Sequence, residues 1–121
     1  MAEIKLSPEA QQILMELQTF QQQMQTVMMQ KESLNIQNME IGKALEELGK
    51  TDHDDVYKAV GPILIKSTKK ELNKELDEKK EMIDIRVKSL QKQEVRLKEK
   101  LKEAQERFEE IFKEQEKRSA E

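Results

Sequence analysis

Apolar residues recur at alternating steps of four and three over most of residues 8–48 and again over most of residues 69–118. This spacing places them on one stripe of an α-helix and is typical of a coiled coil. The first stripe consists of Ile13, Leu17, Phe20, Met24, Val27, Leu34, Ile41, Leu45 and Leu48, with Lys31 and Asn38 at its two polar positions. The second consists of Leu72, Leu76, Ile83, Val87, Leu90, Leu97, Leu101, Ala104, Phe108 and Ile111, with Glu94 as a polar member.

The ends of the first helix carry recognisable signals. Ser7 supplies a hydroxyl that caps unpaired N–H groups, Pro8 needs no partner in the first turn, and Glu9 suits the positive potential there. Gly49, directly after the last apolar residue, is predicted to end the helix in the left-handed conformation. The predicted organisation is one domain over residues 1–121, with a helix over 8–48, a connector and hairpin over 49–68, and a helix over 69–118.

The two stripes predict an antiparallel coiled coil, because each helix alone would leave its apolar face in water. If residues whose numbers add up to 117 face each other, six pairs of apolar residues meet across the seam. The pairs are Leu45 with Leu72, Ile41 with Leu76, Leu34 with Ile83, Val27 with Leu90, Phe20 with Leu97 and Ile13 with Ala104. The same register places Asn38 opposite Lys79 and Lys31 opposite Arg86, where long basic stems could follow the seam with their charges in water.

Between the helices, residues 56–67 have the pattern of a β-hairpin, in which Gly61 can adopt the positive φ of a type II′ turn. A two-residue turn puts Val56, Val60, Ile63 and Ile65 on one face, and Tyr57, Ala59 and Leu64 on the other. Both faces are apolar and both edges lack partners, so hairpins of several chains are expected to join into a shared sheet or barrel. The predicted interface residues are Val56, Tyr57, Val60, Ile63, Leu64 and Ile65.

The fold-back places the chain termini together at the end farthest from the hairpin, where apolar residues exceed what the stripes need. Such a patch could bind exposed apolar segments of unfolded proteins, with the surrounding Glu and Lys keeping it soluble. The candidate binding residues are Ile4, Leu6, Leu14, Phe108, Ile111 and Phe112. Phe108 and Ile111 also continue the second stripe, so closing the coiled coil is an equally good interpretation for them, and Leu14 and Phe112 are the stronger candidates.

Composition narrows the classes of function. Hydrophobic residues make up only 36% of the chain and charged residues 39%, which is too little apolar side chain for a thick core. A net charge of -3 without a basic block argues against a nucleic-acid partner. The chain has no cysteine, no apolar run of membrane-spanning length and no secretory signal, so we expect a cytoplasmic protein without a membrane partner.

The sequence offers no catalytic or cofactor site. His53 is the only histidine, and it lies in a polar connector beside Asp52, Asp54 and Asp55. One short loop supplies too few converging ligands to favour a metal site over a solvated turn. The three glycines, at positions 42, 49 and 61, form no phosphate-binding loop. We therefore expect no enzymatic activity, no cofactor and no metal.

The order of long helix, short hairpin and long helix resembles the β-type subunits of prefoldin. The hairpin segment VYKAVGPILIK at residues 56–66 carries the most specific part of this resemblance. The flanking segments KALEELGK and KKELNKELDEKKEMIDIR share it, and it covers essentially the whole chain. The α-type prefoldin subunits resemble this plan with a second hairpin, for which this chain has no room.

The resemblance implies a mainly α fold: a long antiparallel two-helix coiled coil with one β-hairpin at the fold-back end that joins a multi-subunit β-barrel. It further implies a hetero-hexamer of two α-type and four β-type subunits. Such complexes hold unfolded proteins between coiled-coil tips and deliver them, without ATP, to the cytosolic (group II) chaperonin. The expected partners are an α-type subunit, further copies of this chain, unfolded client proteins and a group II chaperonin.

Two alternatives stay open on the residues alone. A structural or tethering coiled coil without client-holding activity would explain both stripes, but it would give the hairpin no role. A homomeric assembly would use the same hairpin without an α-type partner, because the edges of a hairpin do not specify what they pair with.

Overall fold

The computed structural model describes residues 5–120 and, for side chains, residues 5–118. Two long helices are joined by a β-hairpin. Helix α1 spans Pro8–Lys50, strand β1 spans Asp55–Val60, strand β2 spans Ile63–Thr68 and helix α2 spans Lys69–Ala120. This architecture confirms the prediction of a mainly α fold with two long helices and one hairpin.

Side-chain hydroxyls cap the N-termini of both helices. The hydroxyl of Ser7 accepts a hydrogen bond from the N–H of Ala10 at 3.1 Å, as the sequence predicted. The hydroxyl of Thr68 accepts one from the N–H of Glu71, also at 3.1 Å. Each cap satisfies a backbone donor that has no partner within the helix and stabilises the helix by about 1 kcal/mol. Because Thr68 is also the last residue of β2, the hairpin passes directly into α2 without a loop.

The prediction that Gly49 ends α1 in the left-handed conformation is wrong. Gly49 lies within the helix, and among the described residues only Gly61 has a positive φ. Thr51 closes the helix instead, since its N–H donates to the carbonyl of Leu48 at 3.3 Å and its hydroxyl donates to the carbonyl of Glu47 at 2.9 Å. These bonds satisfy carbonyls of the last turn without a left-handed glycine.

The hairpin has the predicted turn and register. Val60 pairs with Ile63, so Gly61 and Pro62 form a two-residue turn. Gly61 has a φ of 58°, and proline holds its own φ negative, which is the combination of a type II′ turn. The pairing puts Val56, Val60, Ile63 and Ile65 on one face, and Tyr57, Ala59 and Leu64 on the other, as expected.

The described residues form two compact units. The terminal unit contains residues 5–29 and 90–120, and the hairpin unit contains residues 30–89. All residues of the two predicted stripes are buried or half-buried, including the polar members Lys31, Asn38 and Glu94. The buried apolar residues of the terminal unit are Ala10, Ile13, Val27, Leu90, Leu97 and Ala104. Those of the hairpin unit are Ile41, Leu48 and Ile83.

Contacts between the helices show that the register differs from the one expected. In the hairpin unit, Asn38 Nδ2 donates to Asp84 Oδ1 at 2.7 Å. In the terminal unit, Arg107 Nη2 donates to Glu16 Oε2 at 2.7 Å. The residue numbers of these pairs add up to 122 and 123, whereas the predicted register required pairs adding up to 117. The predicted register is therefore wrong by about one helical turn.

The pattern of burial gives the reason for the shift. Lys100 Nζ lies 5.8 Å from the centroid of the Phe20 ring, so the contacts between the helices have sums from 120 to 123. A register with a sum of 121 fits them and brings Leu34 opposite Val87, both half-buried seam residues. In the predicted register, Lys79 and Arg86 would have filled seam positions of α2, but both are exposed. The predicted layers of Asn38 with Lys79 and of Lys31 with Arg86 do not form, because these two basic side chains of α2 stay on its solvated surface.

Candidate functional site

The hairpin presents apolar side chains that its own chain does not cover. Tyr57 is 62% exposed, Ile63 56% and Leu64 70%. The other predicted interface residues are the exposed Val60 and Ile65 and the half-buried Val56. Since Tyr57 and Leu64 lie on the face opposite Ile63, both faces of the hairpin leave apolar surface open to a partner.

The edges of the hairpin are free as well. Within residues 5–120, β1 and β2 form a sheet of two strands. The N–H of Lys69 donates to the carbonyl of Asp54 at 2.9 Å, which extends the hydrogen-bonded ladder beyond the strands. Hydrogen-bonded and non-hydrogen-bonded pairs alternate along an antiparallel ladder, so residues such as Tyr57 and Leu64 direct their backbone groups outward. Both edges therefore offer unpaired N–H and C=O groups to a strand of another chain.

Ion pairs join the hairpin to α2 and its two strands to each other. Lys58 on β1 forms an ion pair with Glu75 on α2. Across the strands, Lys66 Nζ lies 3.5 Å from Asp55 Oδ2. The first pair links β1 to α2, and the second links the two strands. Exposed ion pairs of this kind each add less than about 1 kcal/mol to the stability of the fold. Their effect is to position the hairpin while its apolar residues stay accessible.

The terminal unit brings several of the predicted binding residues together. Phe108 and Phe112 are stacked, with ring centroids 6.1 Å apart and an interplanar angle of 15°. Both rings are half-buried, as is Ile111. Leu6 is half-buried just before α1, and Ile4 lies outside the described residues. Each of these half-buried side chains therefore packs partly within the unit and leaves part of its apolar surface exposed to solvent.

Leu14 and Phe112 are placed on one flank of the coiled coil. Leu14 directly follows the buried Ile13, and Phe112 directly follows the half-buried Ile111. In an antiparallel coiled coil, residues that follow equivalent seam positions of the two helices lie on the same side of the seam. Leu14 is 37% exposed and Phe112 is half-buried, so together they add apolar surface beyond the seam.

Gln115 has a structural role that the sequence did not indicate. Its Oε1 accepts a hydrogen bond from the N–H of Ser7 at 3.3 Å, and its Nε2 donates to the carbonyl of Lys5. The two bonds hold residues 5–7 against α2, next to the half-buried Leu6. The only sequence signal is that Gln115 continues the stripe one step beyond Ile111, and no local pattern marks a side chain that pairs with a distant backbone.

No three His, Cys, Asp or Glu side chains of residues 5–118 converge as a metal site would require. None of the described helices is both long and apolar enough to cross a membrane. His53 is exposed in the connector between α1 and β1. The hairpin offers strand edges for pairing with another chain, and both units offer exposed apolar side chains for contact.

Comparison with known proteins assigns a family to this helix, hairpin and helix arrangement. The prefoldin subunit family matches residues 11–115, which include the hairpin and most of both helices. The chain belongs to the prefoldin subunit family. This membership supports a chaperone role and a place in a multi-subunit prefoldin complex.

Individual relatives agree with the assignment. Prefoldin subunit beta of Archaeoglobus fulgidus is 42% identical over 109 residues, which cover 89% of this chain and 94% of that protein. Prefoldin subunit beta of Pyrococcus furiosus is 38% identical, with 81% of this chain and 85% of that protein covered. The crystal structure of the prefoldin beta subunit from Thermococcus strain KS-1 matches with a TM-score of 0.78 and 37% identity, covering 88% of this chain and 94% of that chain. The predicted likeness to β-type prefoldin subunits is confirmed.

Proposed function

We propose that this chain is a β-type subunit of a cytoplasmic prefoldin hetero-hexamer, with two α-type and four β-type subunits. In this proposal the complex holds unfolded proteins without using ATP and passes them to a group II chaperonin. The chain acts as one domain over residues 1–121, in which the hairpin serves assembly and the terminal unit serves client capture.

The hairpin carries the assembly part of the proposal. Its two faces hold exposed apolar residues, of which Leu64 at 70% and Tyr57 at 62% are the most open. A two-stranded hairpin with two open edges is marginal in water by itself. Pairing with hairpins of other subunits would satisfy the edges and bury these faces together, which is how a shared β-barrel removes strand edges. The proposed interface is Val56, Tyr57, Val60, Ile63, Leu64 and Ile65.

The apolar surface of the terminal unit carries the client-holding part. Phe108 and Phe112 stack on each other while remaining half-buried, so part of each ring stays available for contact. Leu14 adds partly exposed aliphatic surface on the flank that Phe112 occupies. Capture by such apolar contacts needs no nucleotide, because burial of apolar surface is itself favourable. The proposed client-binding residues are Ile4, Leu6, Leu14, Phe108, Ile111 and Phe112.

Suppression of aggregation tests the client-holding part. The purified assembly is mixed with guanidine-unfolded citrate synthase, and light scattering is followed as the denaturant is diluted. We expect the double variant Leu14→Ser with Phe112→Ser to need about fivefold more complex for the same suppression. Both residues lie off the seam, so the coiled coil should keep its helical content.

A matched control separates loss of a binding site from general loss of apolar surface. Val95 is 56% exposed on α2 of the same terminal unit and is not part of the proposed site. Val95→Ser should leave suppression unchanged. If the Leu14 and Phe112 double variant suppressed aggregation as well as the parent protein, client capture by these residues would be ruled out. If the parent complex failed to suppress aggregation, the tethering alternative would be favoured.

A further inference from the structure

One helix of the terminal unit is almost free of charge. Between Glu9 and Lys31, α1 carries a single charged residue, Glu16. In the same unit, α2 is dense in Lys, Arg and Glu from Lys92 to Arg118. Exposed positions of a coiled coil usually carry charges that keep it soluble, and α2 follows that rule. The coiled coil itself gives no reason for α1 to depart from it.

From Met15 to Met29, the exposed residues of α1 are thioethers, amides and hydroxyls. Met15 is 68% exposed, Met28 53% and Met29 71%. The exposed polar residues between them are Gln18, Thr19, Gln21, Gln22, Gln23, Gln25 and Thr26. We call the exposed side of residues 15–29 the neutral face. The hydroxyls of Thr19 and Thr26 donate to carbonyls of their own helix at 3.0 and 3.1 Å, so they add little polarity of their own.

We propose that the neutral face is a docking surface for extended, uncharged segments of unfolded proteins. This inference rests on the proposed function and adds a second contact area to the cluster formed by Leu14, Phe108 and Phe112. The segments that a protein exposes when it unfolds come mostly from its core, which is poor in charge. Glu16 is the one charged residue between Met15 and Met29, and it is already paired with Arg107 at 2.7 Å. The rest of the face complements such segments, because its uncharged side chains lose little hydration on contact.

The side chains of the neutral face suit an extended backbone. An unfolded segment carries N–H and C=O groups that lose contact with water when it docks on a surface. The amide of Gln22 offers both a carbonyl acceptor and N–H donors, and its exposed glutamine neighbours repeat that chemistry along the helix. The methionines between them are flexible and polarizable, so they can adapt to different apolar side chains. Recognition of this kind requires no particular client sequence.

The outer side of α2 lacks these properties. Its exposed apolar residue in the terminal unit, Val95, is flanked by Glu94 and Arg96. Glu99 stands on the outer side of α2 at the level of Gln22 on α1, since their numbers add up to 121. Docking of an apolar segment there would remove water from charged groups. The two helices should therefore differ in client contact at the same level of the unit.

Photo-crosslinking tests this difference directly. A benzophenone amino acid is placed at Gln22 in one preparation of the native assembly and at Glu99 in another. Each is irradiated with guanidine-unfolded citrate synthase freshly diluted from denaturant. Crosslinks to citrate synthase are expected from position 22 and at least about tenfold fewer from position 99. Equal crosslinking from both positions, or more from 99, would overturn the inference.

Two methionines of equal exposure provide matched charge substitutions. Met29 on the neutral face and Met82 on α2 of the hairpin unit are each 71% exposed. Met29→Lys should raise the amount of complex needed for half-maximal suppression by about threefold, and Met82→Lys should leave it unchanged. Equal effects of the two substitutions would contradict the inference. So would a change in assembly mass for Met29→Lys, because the face would then be a contact between subunits.

The proposed function and this inference can fail separately. If the Leu14 and Phe112 double variant loses suppression while Met29→Lys keeps it and position 22 gives no crosslinks, the neutral face is wrong and client capture at the cluster stands. If Met29→Lys loses suppression and the double variant keeps it, the neutral face is supported and the cluster is wrong.

Discussion

Asn38 and Asp84 form a hydrogen bond between the two helices of the hairpin unit, with 2.7 Å between Nδ2 and Oδ1. Asn38 occupies a seam position, and its own Oδ1 is buried without a hydrogen-bond partner. A buried acceptor without a partner costs about 1–3 kcal/mol. A polar residue at such a position commonly gives up stability to fix the register of a coiled coil.

Replacing Asn38 by leucine should therefore stabilise the fold. Asn38→Leu removes the unpaired acceptor and adds apolar surface to the seam, so the free energy of unfolding should rise by about 1–3 kcal/mol. Asp84→Ala should act in the opposite direction, since it leaves the amide of Asn38 without its acceptor. Urea unfolding followed by circular dichroism measures both. A loss of stability in Asn38→Leu would show that the amide is a net stabiliser.

The same asparagine should decide the register. Cysteines at Leu34 and Val87 report the observed register, and cysteines at Leu34 and Ile83 report the register one turn away. With Asn38 present, only the first pair should form a disulfide readily under mild oxidation. In the Asn38→Leu background, the second pair should begin to form as well. Formation of the first pair alone in both backgrounds would show that other contacts set the register.

The sequence predicted the stripes but not their register, for a physical reason. Apolar residues recur at every third or fourth position of both helices, so a shift of about one turn still brings apolar side chains together. The two registers differ mainly in polar contacts such as that of Asn38 with Asp84 and that of Glu16 with Arg107. Contacts of this kind depend on the orientation of single side chains, and the spacing of apolar residues in the sequence does not determine that orientation.

The candidate surfaces were predictable to different degrees. The hairpin followed from its β-branched residues and from Gly61, whose positive φ the turn requires. The end of α1 did not, because Thr51 closes the helix through two hydrogen bonds that made a left-handed Gly49 unnecessary. Gln115 was missed altogether, since its partners lie more than one hundred residues away in sequence.

The ion pair between Glu16 and Arg107 should be weak and sensitive to salt. Their side chains are 38% and 56% exposed, so water screens the 2.7 Å contact. Arg107→Gln should lower the free energy of unfolding by less than about 1 kcal/mol. In about 1 M sodium chloride the difference from the parent protein should vanish, because salt screens exposed charges over a few ångströms. A difference that persists in high salt would mean that Arg107 stabilises the unit by packing.

Charge on the hairpin should prevent assembly without unfolding the helices. Leu64→Glu places a carboxylate on a face that the proposal buries between subunits, so the sedimentation coefficient of the complex should fall. Ile85 is 64% exposed on α2, close to the 70% of Leu64, and Ile85→Glu serves as the control that keeps the assembly intact. Full assembly of Leu64→Glu would place this face on the outside of any shared sheet.

Gln115 should govern the order of the residues before α1. Gln115→Ala removes both bonds to residues 5–7, so the amide of Ser7 should exchange with deuterium about tenfold faster. Gln115→Glu keeps an acceptor for the Ser7 N–H but loses the donor to Lys5, and its effect should be intermediate. Unchanged exchange in Gln115→Ala would show that other contacts hold this segment.

The mass of the native assembly tests the central claim most directly. The chain is tagged in its own cells, recovered with its partners under gentle conditions and weighed intact by native mass spectrometry. We expect a hetero-hexamer with four copies of this 14.3 kDa chain and two copies of a second subunit that carries two hairpins. A monomer, a simple dimer or a long filament would contradict the account.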